Sequence, residues 1–236
     1  MKDREMTVVQ HLEELRRRLI VAILALAVAT AASFTFAGKV LEFLLRPAGD
    51  ISLAVLAMGE AFFVKLKIAF IVGFFLSLPV ILHQGVAFIL PALDDRERRY
   101  LLGLLPASVF LFFGGVVFAY YAVLPFVTRF FLSFTSETLR PVISAGAYVS
   151  FVVSVIVPFG LVFQLPVAVM LLTRLGVLTP HFLVRNRKFA VLVIFVMAAF
   201  LTPPDIVSQI FIAIPMLALY EISVLISRLS YRPSGD

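Results

Sequence analysis

The chain has 236 residues, 62% of them hydrophobic and only 14% charged, with a mean hydropathy of +1.08, where a soluble domain carries about 25% charged residues. That composition leaves too little polar surface to clothe a globule, so it excludes a soluble domain and points to a membrane protein. The absence of cysteine excludes disulfides, a thiolate nucleophile and a Cys-ligated metal, and the net charge of +6 reads as a topology signal rather than nucleic-acid binding.

Residues 1–18 contain no apolar h-region, so no signal peptide is expected. Thr7 followed by Gln10 is a capping-box signature. Val8, Leu12, Leu15 and Leu19 then form one apolar stripe, which suits a helix lying along the membrane surface. Glu13 with Arg17 and Glu14 with Arg18 are i,i+4 pairs on that helix. Crossing a ~30 Å hydrocarbon core takes about 20 apolar helical residues. Reading between charges, the spans are Leu19–Gly38, Ile68–Leu93, Tyr100–Thr128, one inside Pro141–Thr173 from about Tyr148, Phe189–Pro204 and Ile206–Tyr220. These runs are continuously apolar rather than alternating, which argues against a barrel.

The predicted fold is therefore all-α and polytopic, with six transmembrane helices and one membrane domain over residues 1–236. Residues 1–18 form the amphipathic helix, residues 19–228 the bundle, and residues 229–236 a tail. Segments Lys39–Lys67 and Arg129–Ala147 form a cap on the far side. Fourteen basic residues lie on the side of the termini and six opposite, which places both termini in the cytoplasm. Tyr100, Tyr148 and Tyr220 near span ends suit an aromatic belt. Pro79, Pro106, Pro158, Pro166 and Pro215 lie inside apolar stretches and bend their helices, favouring a concave body over a parallel bundle.

Four stretches stand out chemically. The first is the surface helix, which on spacing alone is a self-paired helix leading into span 1. The second, Phe88 to Arg99, is a short loop dense in charge. It reads either as a solvated topology signal or as a site where Glu97, with Glu14, receives a ligand bearing two adjacent positive charges. In the third, Phe159–Pro166, Gln164 sits within a long apolar run and needs a partner, most simply a neighbouring helix. In the fourth, Leu201–Gln209, Thr202 as N-cap, Pro203 at N1 and Asp205 at N3 make a coherent helix start. The last two spans, about 21 and 22 Å long, fall short of the bilayer core. His11, His83 and His181 form no metal-ligand cluster, and no hydrolase elbow, P-loop or dinucleotide fingerprint occurs. No enzyme, metal or cofactor is expected.

Four blocks together carry a family resemblance: HLEELRRRL at His11–Leu19, FILPAL with ERR at Phe88–Leu93 and Glu97–Arg99, FGLVFQLPV at Phe159–Val167, and LTPPD with the following SQ, AIP and LYE at Leu201–Glu221. In this order and spacing they resemble TatC, the multispanning component of the twin-arginine protein translocase, over nearly the whole chain. The resemblance implies six helices in a glove-like arrangement in the bacterial inner membrane. It also implies recognition of twin-arginine signal peptides of folded proteins, single-span TatA and TatB partners, a homo-oligomeric receptor and export driven by the proton-motive force. By position, Glu14 and Glu97 match the acidic residues at the twin-arginine site, with Arg16, Leu19 and Phe88 beside them. Pro47 and Glu60 match cap positions that support translocation. Thr202, Asp205 and Gln209 match the polar hairpin near the partner-helix docking surface. Several family members carry glutamate where this chain has Gln164, which cannot titrate. The competing reading is a small-solute or ion transporter. It would require ionisable residues at mid-span or inverted repeats, and the acidic residues here cluster at the membrane surfaces.

Overall fold

The computed structural model describes residues 8–49, 53–90, 95–136, 142–201 and 205–231. They form α1 (Val8–Phe34), α2 (Ala37–Leu45), β1 (Leu53–Ala54), α3 (Glu60–Ile89), α4 (Asp95–Phe118), α5 (Leu124–Leu132), β2 (Ile143–Ser144), α6 (Ala145–Val162), α7 (Leu165–Arg174), α8 (Pro180–Arg185), α9 (Arg187–Leu201) and α10 (Ile206–Ser230). Five helical stretches among the described residues are long and apolar enough to cross a membrane: Val9–Phe34, Glu60–Phe88, Arg98–Leu132, Ala145–Arg174 and Ile206–Ser230. The 15-residue α9 spans about 22 Å and falls short of the ~30 Å core.

Helix ends differ from the charge-delimited spans because a helix does not stop where lipid does. The surface helix and span 1 are one unbroken helix, α1. Lys65 and Lys67 lie inside α3, which begins at Glu60. The last span is not short: α10 has 25 residues and carries Glu221 and Arg228 within it, so only its charge-free run to Tyr220 is. Its N-cap is Asp205 itself, whose carboxylate accepts from the Ser208 N–H at 2.7 Å. Asp205 is thus not at N3, and the Thr202 cap lies outside the described residues, as does Thr7.

Proline chemistry interrupts the other spans. Pro125 cannot donate a backbone hydrogen bond to the preceding turn, and the helix widens to a π-helical turn at Ala119–Val123 just before it. Span 4 breaks at Phe163–Gln164, with Pro166 in the first turn of α7. Gly176, at φ +71°, closes α7 in a Schellman motif: Val177 N–H bonds Leu172 O at 3.0 Å and Gly176 N–H bonds Thr173 O at 3.2 Å.

The chain divides into two compact units, residues 1–40 with 65–105, and residues 41–64 with 106–236. In the first, α1 and α3 run antiparallel, in contact at three levels. At one level small residues let the backbones meet: Ala69, Gly73 and Ser77 are buried at four-residue spacing, and a β-carbon on Gly73 would lie 2.6 Å from the Thr30 nitrogen. The other levels are the Arg18–Gln84 hydrogen bond and the His11–Phe88 stack.

In the second unit, α4 and α6 interlock. The Phe112 ring, fully buried, occupies the space that a side chain on Gly160 would need. Gly115 in turn accommodates Phe159 and Phe163. Helices α9 and α10 form an antiparallel hairpin, tied by Gln209 to Phe195 at one level and by Arg187 to Glu221 at 2.7 Å at another. Helices α7 and α10 run parallel, joined by the buried Thr173–Ser227 hydrogen bond of 2.8 Å.

The cap segments contain the two short strands, which the apolar pattern did not disclose. They pair in parallel, Leu53 with Ile143 and Ala54 with Ser144. The last carbonyls of α2 would be orphans; Tyr120 donates to Phe43 O at 2.6 Å and Tyr148 to Leu44 O at 2.7 Å. Tyr148 is therefore buried in protein rather than standing in an interfacial belt.

Candidate functional site

The first turns of α1 carry His11, Glu14 and Arg18 at spacings of three and four, which puts them on one helix face. That face meets α3, where Gln84 and Phe88 are four residues apart. His11 stacks on Phe88 with ring centroids 4.3 Å apart and 23° between planes. Arg18 bridges the two helices: its Nη2 donates to Glu14 Oε1 and its Nη1 to Gln84 Oε1, each at 3.2 Å. The other carboxylate oxygen, Glu14 Oε2, is buried with no hydrogen-bond partner, and so is Arg18 Nε. Two polar atoms short of partners beside an aromatic stack make this a chemically unfinished part of the first unit.

Of the residues expected here, the structure brings Glu14 and Phe88 into one cluster. Arg16 and Leu19 are exposed and make no hydrogen bond to it among the described residues. Glu97 lies in the first turn of α4 within the same compact unit, and its side chain lies outside the described residues. The Glu14–Arg18 pair forms as the spacing predicts, whereas Glu13 and Arg17 are exposed and make no ion pair among the described residues. His11, Gln84 and the bridging Arg18 were not singled out as site residues. The available signal was the shared helix face of His11 with Glu14 and of Gln84 with Phe88.

The other candidates are held by the fold. Gln164 donates from Nε2 to Ser108 O at 3.0 Å, an interhelical bond of the simplest kind. Gln209 lies one turn into α10 and donates to Phe195 O at 3.0 Å. In the cap, Glu60 accepts from Gly146 N–H at 2.8 Å on one oxygen, and from Leu56 and Ala57 N–H at 2.6 and 3.3 Å on the other. Pro47 sits in the 3-10 turn Arg46–Ala48 that follows α2. Among the described residues no group of three or more His, Asp or Glu is placed to hold a metal.

The family model for Sec-independent protein translocase protein (TatC) matches residues 10–215. A protein of that name from Carboxydothermus hydrogenoformans is 42% identical over 97% of this chain and 95% of its own length. TatCy of Bacillus subtilis is 39% identical over 98% and 92%. A crystal structure of a twin arginine translocase receptor, TatC, is 39% identical and matches with a TM-score of 0.84 over 94% of this chain and 100% of that one. A family match across most of the chain, close relatives of nearly equal length and a shared helical architecture give one result: this multi-pass membrane protein belongs to the TatC family of Sec-independent protein translocase components and is not an enzyme.

Proposed function

We propose that the chain is the receptor subunit of a twin-arginine translocase, binding the paired arginines of signal peptides at its cytoplasmic face. The observation that carries this reading is Glu14: one carboxylate oxygen is held by Arg18 and the other is buried without a donor. A guanidinium from a ligand supplies the missing donors, and its partner arginine is received by Glu97 at the start of α4. Binding is an exchange, since Arg18 competes for the same carboxylate; Arg16, Leu19 and Phe88 border the ligand. An exposed ion pair contributes roughly 0–1 kcal/mol, whereas hydrogen bonds to charged groups in a shielded site reach about 1.5–3 kcal/mol.

The remaining parts follow from the same reading. Helix α9, antiparallel to α10, is the sixth crossing of a concave, glove-like body in the bacterial inner membrane, and both termini are cytoplasmic. TatA- and TatB-type helices dock on the α9–α10 hairpin near Thr202 and Gln209, where one N–H of the Gln209 amide is held by Phe195 O and its oxygen is left to accept. Asp205 shapes the turn there, and Pro47 and Glu60 shape the cap that supports translocation. Receptor copies associate, and the proton-motive force drives export of folded cargo. A transporter is not favoured, since mid-span Gln164 is neutral and engaged.

Fluorescence anisotropy with a twin-arginine peptide and its twin-lysine counterpart tests the central claim. Glu14→Gln and Glu97→Gln should each weaken the twin-arginine peptide by about tenfold or more, the equivalent of ~1.4 kcal/mol. Equal affinity of the native chain for both peptides, or unchanged binding by the folded double variant, would sink it.

A further inference from the structure

Between α6–α7, α8–α9 and α10, all within the second compact unit, lies an open groove of about 580 Å³. Its walls are apolar along most of its length, including Leu161, Phe189, Val193, Met197 and Met216. At one end stand Asn186 and Tyr220, and both are already closed on the protein: Asn186 Nδ2 donates to Phe182 O at 2.9 Å and the Tyr220 hydroxyl to Leu183 O at 2.8 Å. The groove therefore offers a ligand hydrocarbon contact and almost nothing polar. That same end adjoins the most one-sided charge in the chain. From Arg174 to Lys188 there are four Arg or Lys residues and no acid. Glu221 neutralises Arg187, while Arg185 and Lys188 are exposed and make no ion pair among the described residues.

We infer that this groove is a binding site for one anionic phospholipid, with an acyl chain along the apolar walls and the phosphate on Arg185 and Lys188. Two observations choose this occupant. Polarity runs along the groove as it runs along a lipid, cationic at one end and hydrocarbon at the other. An apolar gap excludes water, and an unfilled one forfeits dispersion contacts, so in a bilayer a chain fills it. Juxtamembrane basic residues attract anionic headgroups additively, so two free cations produce a measurable preference.

The test is native mass spectrometry of the full chain released from nanodiscs of equal phosphatidylglycerol and phosphatidylcholine. The native chain should retain phosphatidylglycerol preferentially, and Arg185→Gln/Lys188→Gln should cut that preference by roughly tenfold. Val193→Trp, at a half-exposed wall position, should lower retention of both lipids; if it fails to fold, Ala190→Leu serves the same purpose. A photo-crosslinker at position 193 should yield a lipid adduct. No preference in the native chain, a preference that survives loss of both cations, undiminished retention in the folded wall variant, or a protein adduct at position 193 would each overturn the proposal. Twin-arginine peptide binding by the Arg185→Gln/Lys188→Gln variant should stay native, which separates this site from the Glu14 cluster.

Discussion

Glycine marks where two helices touch through their backbones. Gly73 faces Thr30 so closely that any side chain collides with main-chain atoms, which have no rotamer to escape into. Gly103 sits on an equally apolar helix, yet nothing lies within 4 Å of its missing side chain. The two substitutions to alanine should diverge. Gly73→Ala should cost about 1–3 kcal/mol through overpacking, whereas Gly103→Ala should be neutral or slightly stabilising through helix propensity. Thermal unfolding of the detergent-solubilised variants reads both, and equal melting temperatures would contradict the packing. Sequence alone does not separate these positions, because what stands opposite a glycine depends on another helix. The same holds for Glu14. Its pairing with Arg18 follows from spacing four, but the bridge from Arg18 onward to Gln84 crosses 66 residues.

Among the elements, the cap shows how three short features stabilise one another. The two-residue strands are too short to persist alone. Glu60 reinforces them, because its two oxygens gather amide hydrogens from both cap segments. It also stands in the first turn of α3, where a carboxylate favours the helix dipole. Glu60→Ala should therefore loosen both segments together. Hydrogen exchange at Leu56, Ala57 and Gly146 should accelerate while exchange within α7 and α10 stays native. Acceleration confined to residues 56–57 would show that Glu60 does not couple the segments. The α9–α10 hairpin teaches the reverse lesson about length. Its charge-free run ends at Tyr220, but α10 continues beyond Glu221, where Ser223, Val224, Ser227 and Ser230 are buried and Thr173 on α7 meets Ser227. Small polar residues packed against another helix carry a membrane helix past a single charge.

For the whole molecule the governing asymmetry is fourteen basic residues against six. The proposed orientation places the cap outside the cell. Single cysteines introduced into this cysteine-free chain test it at exposed Met58 and Phe134 in the cap and at exposed Lys188 opposite. In intact cells a membrane-impermeant maleimide should label positions 58 and 134 and spare 188. Labelling of 188 alone would invert the topology, and labelling of all three would remove the α6–α7 stretch as a crossing.

What the sequence determined by itself is what depends on solvent and on neighbours within a few residues. Apolar runs specify membrane helices, because lipid offers no hydrogen-bond partners to a bare backbone. Spacing four specifies the Glu14–Arg18 pair, and the missing donor of Pro166 marks where span 4 is interrupted. The same local logic finds Asp205 at a helix start but misplaces it, since a side chain caps only the backbone N–H groups that the actual first turn leaves free. Tertiary structure decided the rest. It set the Gly73–Thr30 contact, closed the orphan carbonyls of α2 with Tyr120 and Tyr148, tied Glu60 to Gly146, and left one oxygen of Glu14 without a donor. Each of these joins atoms far apart in the chain, and such a pairing is fixed only when packed helices exclude every other partner.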